Sequence, residues 1–259
     1  MNTPSAPGDW AGFLRSNWEY YARHARRDFF IASHRGCDDP ELWKAQGQYD
    51  AAIVLHGLAP ERLARFQVLE IGCGVGRLAE PIAPRVAGYT GFDIAPSMVE
   101  EARKNCAPLA NARFFLGDGL SVPAEARDRR YDVAFAHAVL VHCPKELVAV
   151  LLTSARALLA PGGELRFQLR AEASDPTGIQ APDLSLVDAE PPDLPTGALR
   201  ESERAGLAEA HAVLAQRYYM GHAFRYDEVE PFLRATLPGT STRQWRFDPD
   251  VIYVDVAVP

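Results

Sequence analysis

Short apolar runs and longer periodic segments alternate through much of the chain, and this alternation predicts an α/β fold. Apolar runs bounded by turn residues are typical of buried strands, whereas apolar residues at three- and four-residue steps are typical of amphipathic helices. Runs of the first kind lie at residues 66–71, 88–93, 112–116, 131–137 and 164–170. Helical patterns begin near Arg77, span residues 97–105 and follow Pro144. The pattern therefore predicts strands that alternate with helices.

The segment before the first strand predicts helices. Apolar residues at helical spacing are Trp10, Leu14, Trp18, Tyr21, Ala25 and Phe29. Residues 51–58 form a second apolar stretch, which predicts a short helix. We predict that residues 1–60 form a helical cap on the core. A helical pair that only packs on the edge of the sheet fits the pattern equally well.

The segment after the fifth strand predicts an insertion. Residues 171–199 are rich in Pro and Asp and show little periodicity, which is typical of functional lids or linkers. A helix is predicted at residues 201–216, and we assign residues 171–225 to a lid or substrate-binding insertion.

The remaining residues, 226–259, predict the last part of the core. They contain a helix that Asp227 and Glu230 would cap, followed by strands at residues 242–247 and 251–258. Residues 61–170 would form the main part of the core.

A glycine-rich turn follows the first strand. Glu70 is followed by Gly72, Gly74 and Gly76, at alternating positions. Strand, glycine turn and helix together bring the backbone close to a nucleotide-like ligand. The dinucleotide fingerprint G-x-G-x-x-G would need a glycine where this chain has Arg77, which argues against an NAD(P)-dependent oxidoreductase.

Several stretches resemble the class I S-adenosylmethionine (SAM)-dependent methyltransferases. Residues 70–76 resemble motif I of that family, E/D-x-G-x-G-x-G, and residues 93–98 resemble its D-x-S/A-x-x-M stretch. Residues 131–142 and the L-x-P-G-G turn at residues 159–163 are also similar to the family. The resemblance implies a Rossmann-like, seven-stranded sheet with helices on both faces. That sheet would be mostly parallel, with an antiparallel C-terminal strand.

The resemblance implies a SAM site at the carboxyl ends of the strands. Its implied lining is Glu70, Gly72, Cys73, Gly74, Gly76, Asp93, Ile94, Met98, Gly117, Asp118, Gly119, Ala136 and His137. Asp93 would accept the ribose hydroxyls, although an aspartate there also caps helices. Asp118 would accept the adenine amino group, although an aspartate beside glycine is also typical of turns.

His137 and His142 are the candidate catalytic bases, because imidazole can remove a proton from a hydroxyl or an amine. A packing or capping role fits each of them as well. Candidate substrate-binding residues are Tyr20, His34, Arg35, Arg170 and His222. Arg170 could instead form a salt bridge with Glu172 or Asp175.

The composition limits the classes of partner that we expect for this chain. The chain has 259 residues, 47% of them hydrophobic, and a formal net charge of -7. An acidic chain is a poor candidate for binding a nucleic-acid backbone. Its four cysteines show neither metal-ligand spacing nor a disulfide framework, so we expect no metal. The absence of a long apolar stretch or a signal-peptide pattern predicts a cytoplasmic protein with no membrane partner. We expect a monomer or a homodimer.

The resemblance implies a SAM-dependent methyltransferase that forms S-adenosylhomocysteine (SAH) as its product. The acceptor would be O, N or C of a small, partly apolar metabolite. The alternatives are an NAD(P)-dependent oxidoreductase and a non-enzymatic SAM-binding partner protein.

Overall fold

The computed structural model describes residues 6–32, 36–178, 191–196, 198, 201–217 and 220–259. The helices are α1 (Pro7–Arg23), α2 (Arg27–Ala32), α3 (Pro40–Val54), α4 (Pro60–Leu63), α5 (Ala79–Ile82), α6 (Pro96–Asn105), α7 (Lys145–Arg156), α8 (Glu201–Arg217) and α9 (Tyr226–Thr236). The strands are β1 (Gln67–Ile71), β2 (Gly88–Asp93), β3 (Ala112–Leu116), β4 (Tyr131–Ala136), β5 (Leu159–Arg170), β6 (Ser241–Asp248) and β7 (Val251–Ala257).

Within the described residues, the strands form one seven-stranded sheet in the order β3-β2-β1-β4-β5-β7-β6. Strands β1 to β5 pair in parallel, and β7 runs antiparallel to both β5 and β6. The predicted fold class, a mostly parallel sheet with an antiparallel C-terminal strand, is confirmed. The strand order reverses between β1 and β4, and ligands of open α/β sheets bind at the carboxyl ends of the strands beside such a reversal.

Side chains of the central strands alternate between the two faces of the sheet and are buried on both. Leu69 and Ala134 belong to an apolar cluster with residues of α7 and α9. Val68 and Val133 belong to a second cluster with residues of α3, α5 and α6. Both faces are therefore covered, which explains why the strands are continuous apolar runs in the sequence.

The helix predicted to begin near Arg77 begins at Ala79 and is short. Turns continue through Leu78, α5 spans four residues, and a 3-10 turn at Ala83–Arg85 ends the segment. Pro84 accounts for the short helix, because proline lacks an N–H and its ring clashes with the carbonyl oxygen of residue i−4.

Other boundaries also differ from the predictions. The helical pattern from Trp10 to Phe29 is divided between α1 and α2, because the backbone is extended at His24. The predicted helix at residues 51–58 is the end of α3, which begins at Pro40 because Asp39 accepts from the backbone N–H groups of Glu41 and Leu42. Strand β5 begins at Leu159 and contains the predicted Pro161-Gly162-Gly163 turn, where its register with β4 shifts. Helix α9 begins at Tyr226, and Glu228 accepts from the backbone N–H of Arg225. The predicted capping pair, Asp227 and Glu230, therefore lies inside that helix.

Helix α1 is fixed to the sheet domain by polar contacts at two points. The Glu19 carboxylate accepts from the backbone N–H of Ser97, at 3.0 Å, and from its hydroxyl, at 2.7 Å. Arg15 Nη2 donates to the carbonyl of Gly117 at 2.9 Å. Because Ser97 lies in the first turn of α6, Glu19 satisfies an N–H group that the helix itself leaves open.

Candidate functional site

An open cavity of about 970 Å³, including the solvent at its mouth, lies at the carboxyl ends of β1, β2 and β4. Nine of the predicted cofactor residues line it: Glu70, Gly72, Cys73, Gly74, Asp93, Ile94, Met98, Gly119 and His137. Leu14 and Trp18 of α1 and Ile31 of α2 line it from the other side. The cavity therefore lies between the sheet edge and the N-terminal helices.

The glycine loop forms one wall of this cavity. Gly72 has φ 74°, and a Cβ built on it would lie 2.4 Å from Cγ2 of Val139. Gly74 has φ 50°, and a Cβ there would meet no atom within 4 Å. Gly72 is thus required by packing, whereas Gly74 leaves open space beside the backbone. Gly76 lies outside the cavity lining, because its Cα faces α6 and a Cβ would lie 2.6 Å from Cys106 Sγ.

Asp93 connects the second strand to the glycine loop. Its Oδ2 accepts from the N–H of Gly74 and its Oδ1 from the N–H of Ala95, both at 2.9 Å. The side chain is buried, and burial raises its pKa even though these backbone N–H groups act in the opposite direction. Each carboxylate oxygen has a second acceptor position, so Asp93 could also receive ligand hydroxyls from the cavity.

Glu70 is the second acid of the cavity. It is 3% exposed, and the Tyr89 hydroxyl donates to its Oε2. Burial raises its pKa to about 8, so a large share of Glu70 is neutral at pH 7. A cation bound beside it would favour the ionised form.

Asp118 occupies a turn outside the cavity lining. Its Oδ1 accepts from the N–H groups of Leu120 and Ser121, both at 2.8 Å. Burial would raise its pKa, but these hydrogen bonds outweigh it and hold the pKa below the usual value. Gly117 and Ala136 also lie outside the cavity lining. The Gly117 carbonyl accepts a hydrogen bond from Arg15, and Ala136 is the buried last residue of β4.

The two candidate bases are placed differently. His137 lines the cavity and also a smaller one beyond it, which His56 and Gln168 share. His142 lies outside the lining, with its ring packed edge-on against Trp18 at 5.3 Å between centroids. Burial lowers the pKa of His142 to about 4, so it is neutral at pH 7.

His137 has a buried acidic neighbour that the sequence did not reveal. Its Nε2 lies 3.5 Å from Oδ2 of Asp50, and Nη1 of Arg77 lies 2.6 Å from the same oxygen. Gln46 Nε2 donates to Oδ1 at 2.8 Å. The sequence signal at this position is an acid directly before the apolar run at residues 51–54, and it does not identify the cationic partners that a buried carboxylate requires.

The backbone after His137 is also held in place. Apart from glycines, Ala138 alone among the described residues has a positive φ, 57°. Its N–H donates to Oε1 of the buried Gln168 at 2.6 Å. Left-handed backbone costs free energy for a residue with a Cβ and is frequent at functional sites.

Tyr20, Arg170 and His222, the candidate substrate residues that the structure describes, do not line the cavity. Arg170 Nη1 donates to the carbonyl of Gly221 at 3.0 Å, which fixes the segment before α9. Tyr20 is 37% exposed, and His222 packs edge-on against Phe224. His34 and Arg35 lie outside the described residues. Asp175, a suggested partner of Arg170, accepts from the N–H groups of Thr177 and Tyr226 instead.

Comparison with known proteins gives a family for the central domain. Residues 68–163 match a family model described as a methyltransferase domain. A ubiquinone biosynthesis O-methyltransferase of Vibrio cholerae is 30% identical over 135 residues, which cover 48% of this chain and 53% of that protein. A trans-aconitate 2-methyltransferase of Methylobacterium radiotolerans is 36% identical over 127 residues, 46% of each chain. The chain thus spans about half the length of these curated relatives.

A solved structure extends the similarity of fold to almost the whole chain. The magnesium protoporphyrin IX methyltransferase of Synechocystis, crystallised with bound SAH, superposes with a TM-score of 0.56 at 18% identity. The match covers 96% of this chain and 99% of that one. Separately, no helix among the described residues is long and apolar enough to cross a membrane.

Proposed function

We propose that the chain transfers a methyl group from SAM to a small, partly apolar metabolite. The methyltransferase-domain match over residues 68–163 and the class I motifs support this proposal. The observation that carries this proposal is the cavity itself. It combines the glycine loop, two buried acids and a histidine at the point where the strand order reverses. The same cavity is open to the apolar side chains of α1 and α2.

The lining fits SAM in its chemistry. The space beside Gly74 would admit the ligand close to the backbone, and Glu70 could accept its ammonium group. Asp93 could accept the ribose hydroxyls while it holds the loop. Ile94 and Met98 would provide apolar contacts for the adenine ring. Asp118 contributes in this proposal only by shaping the turn that carries Gly119.

We assign the base role to His137, since it is the candidate that lines the cavity. Bound SAM would supply an electrophilic methyl carbon, to which the acceptor's electron pair bonds as the carbon–sulfur pair returns to sulfur. His137 would take the acceptor's proton, and the surrounding helices would exclude water. His142 would support Trp18 rather than react.

The substrate class follows from the rest of the lining. Leu14, Trp18, Ile31, Val139 and Leu147 give the cavity a mainly apolar wall. The name of the Vibrio cholerae relative favours oxygen as the acceptor, although transfer to N or C is compatible with the same lining. We further propose that residues 1–60 are a cap and residues 171–225 a lid over the core of residues 61–170 and 226–259.

Calorimetry with SAH and with NAD tests the cofactor. We expect SAH to bind with a 1:1 stoichiometry and NAD to give no heat of binding. The opposite result would identify an oxidoreductase. A screen of candidate metabolites for methyl transfer from labelled SAM tests the activity, and binding of SAH without any transfer would favour a non-enzymatic partner protein.

A further inference from the structure

Asp50 is a buried carboxylate at which three separate parts of the chain meet. It lies on α3, in the N-terminal segment, and is 7% exposed. Arg77 reaches it from the glycine loop, and His137 reaches it from the end of β4. Gln46, one turn earlier on α3, holds the other oxygen. A single side chain therefore contacts both the candidate base and the loop that would hold the cofactor.

The contacts keep Asp50 ionised. Burial would raise its pKa, but His137 and Arg77 together hold it well below the usual range. Arg77 is itself fixed, since its guanidinium lies 5.6 Å from the ring centroid of Trp43 on α3. A charged oxygen at 3.5 Å from Nε2 of His137 attracts an imidazole N–H that faces it.

The contact with Asp50 determines which ring nitrogen of His137 can accept a proton from the substrate. Nε2 is the atom near Asp50 Oδ2, so the neutral ring places its proton there. Nδ1 then keeps the lone pair that can accept a proton. A carboxylate beside Nε2 also stabilises the imidazolium that forms when Nδ1 is protonated.

We propose that Asp50 is a positioning residue that fixes the tautomer of His137 and stabilises its protonated form during methyl transfer. This inference rests on the proposed function, and it assigns part of the reaction to the N-terminal helices. Gln168 supports the same arrangement from β5, because it holds the backbone of Ala138 next to the histidine. The helices would thus complete the site as well as cover it.

The central variant is Asp50→Asn, which keeps the shape of the side chain and removes its charge. Asp132→Asn is the matched control, because Asp132 accepts from the N–H of Gln67 at the opposite end of the sheet. Thermal melts identify any variant that fails to fold. Asp50→Glu is the conservative rescue, and it keeps the measurement informative if Asp50→Asn is unstable.

The first readout is the ¹⁵N spectrum of the His137 imidazole, which needs no substrate. We expect a single Nε2–H tautomer, with an observable Hε2 signal, in the parent chain. That signal should move upfield or disappear in Asp50→Asn and return at least in part in Asp50→Glu. An Asp50→Asn spectrum that matches Asp132→Asn would refute the inference.

The second readout is methyl transfer to an acceptor found in the screen. In Asp50→Asn we expect kcat to fall at least about tenfold, a part of what a general base contributes, with SAH affinity within about twofold of the parent. In a His137→Ala background the same change should cost nothing further, because both residues act as a unit. Additive losses, or a kcat loss that follows the loss of SAH affinity, would mean that Asp50 is structural only.

The two proposals fail in different ways. A parent chain that binds no SAH would refute the proposed function, whatever the His137 spectrum shows. If the parent chain binds SAH and transfers methyl groups, but the His137 NMR signals do not change in Asp50→Asn, the inference about Asp50 alone is refuted.

Discussion

At the scale of single residues, Asp93 and Asp118 show that two similar sequence signals can mark residues with different structural roles. Asp93 ends β2 and Asp118 closely follows β3, but Asp93 lines the cavity and Asp118 closes a turn outside it. We expect Asp93→Ala to reduce SAH affinity by about 1–3 kcal/mol, the usual effect of losing hydrogen bonds to a charged group. Asp118→Ala, the matched control, should have a smaller effect. Calorimetry on both folded variants measures the difference, and equal losses would contradict this assignment.

The glycine loop gives a second prediction for single residues. A side chain at Gly74 would enter the cavity, whereas a side chain at Gly72 would collide with Val139. Gly74→Val should therefore abolish SAH binding in a protein that still folds, and Gly72→Val should lower the melting temperature sharply. Gly162→Val controls for the backbone, because Gly162 has φ 74° like Gly72 and open space beside it. Thermal melts with and without SAH separate the two effects.

Glu70 makes ligand binding depend on pH. Burial raises its pKa to about 8, so the carboxyl group is largely neutral at pH 6 and becomes ionised as the pH rises. A ligand with an ammonium group prefers the ionised form, so SAH affinity should increase from pH 6 to pH 8, by up to about tenfold per pH unit. Calorimetry in buffers of different ionisation enthalpy should detect a released proton at pH 7. Glu70→Gln should bind more weakly at pH 8 and lose this dependence, and a slope that persists would exclude Glu70 as its source.

At the scale of elements, α1 covers the cavity because two contacts attach it to the sheet domain. Glu19 accepts twice from Ser97 on α6 and also pairs with Arg23, four residues later. Glu230 makes a similar i,i+4 pair with Arg234, with both side chains well exposed. Glu19→Ala should cost about 1 kcal/mol of stability and speed SAH dissociation, since it removes an acceptor for a first-turn N–H.

The matched variant Glu230→Ala loses a surface pair alone and should change stability by less than about 0.5 kcal/mol. Denaturant unfolding and stopped-flow dissociation measure both quantities. Equal behaviour of the two variants would show that Glu19 does not hold α1 in place.

The elements also show which parts of the fold and of the site can be predicted from sequence patterns. The strands of the core and the glycine loop could be predicted because their signals are local: apolar runs, alternating glycines and an acid at the end of β2. The short length of helix α5 follows from Pro84, a signal that the apolar pattern does not contain. The Asp50–Arg77–His137 cluster could not be predicted, because its members lie on three elements that only the folded sheet brings together.

At the scale of the whole molecule, the helix that follows the predicted loop of residues 171–199 packs on the N-terminal helices. Tyr21 and Phe30 form a buried cluster with Ala210 of α8. The rings of Tyr21 and Phe30 stack on each other, with 4.6 Å between their centroids. Glu209 lies 3.5 Å from Nε of Arg26. The proposed lid and the proposed cap are therefore in direct contact beside the cavity that α1 and α2 line.

This contact gives the last prediction. Ala210→Asp would place an unpaired carboxylate in the apolar cluster, which is costly, so α8 should separate from α1 and α2. Hydrogen exchange should then become faster in α8 and in the C-terminal half of α1, and SAH should dissociate faster because the helices over the cavity have lost support. Ala208→Asp is the matched control, since Ala208 lies exposed on the same helix. If Ala210→Asp speeds exchange in α8 but leaves both α1 and SAH dissociation unchanged, the two segments touch without acting together.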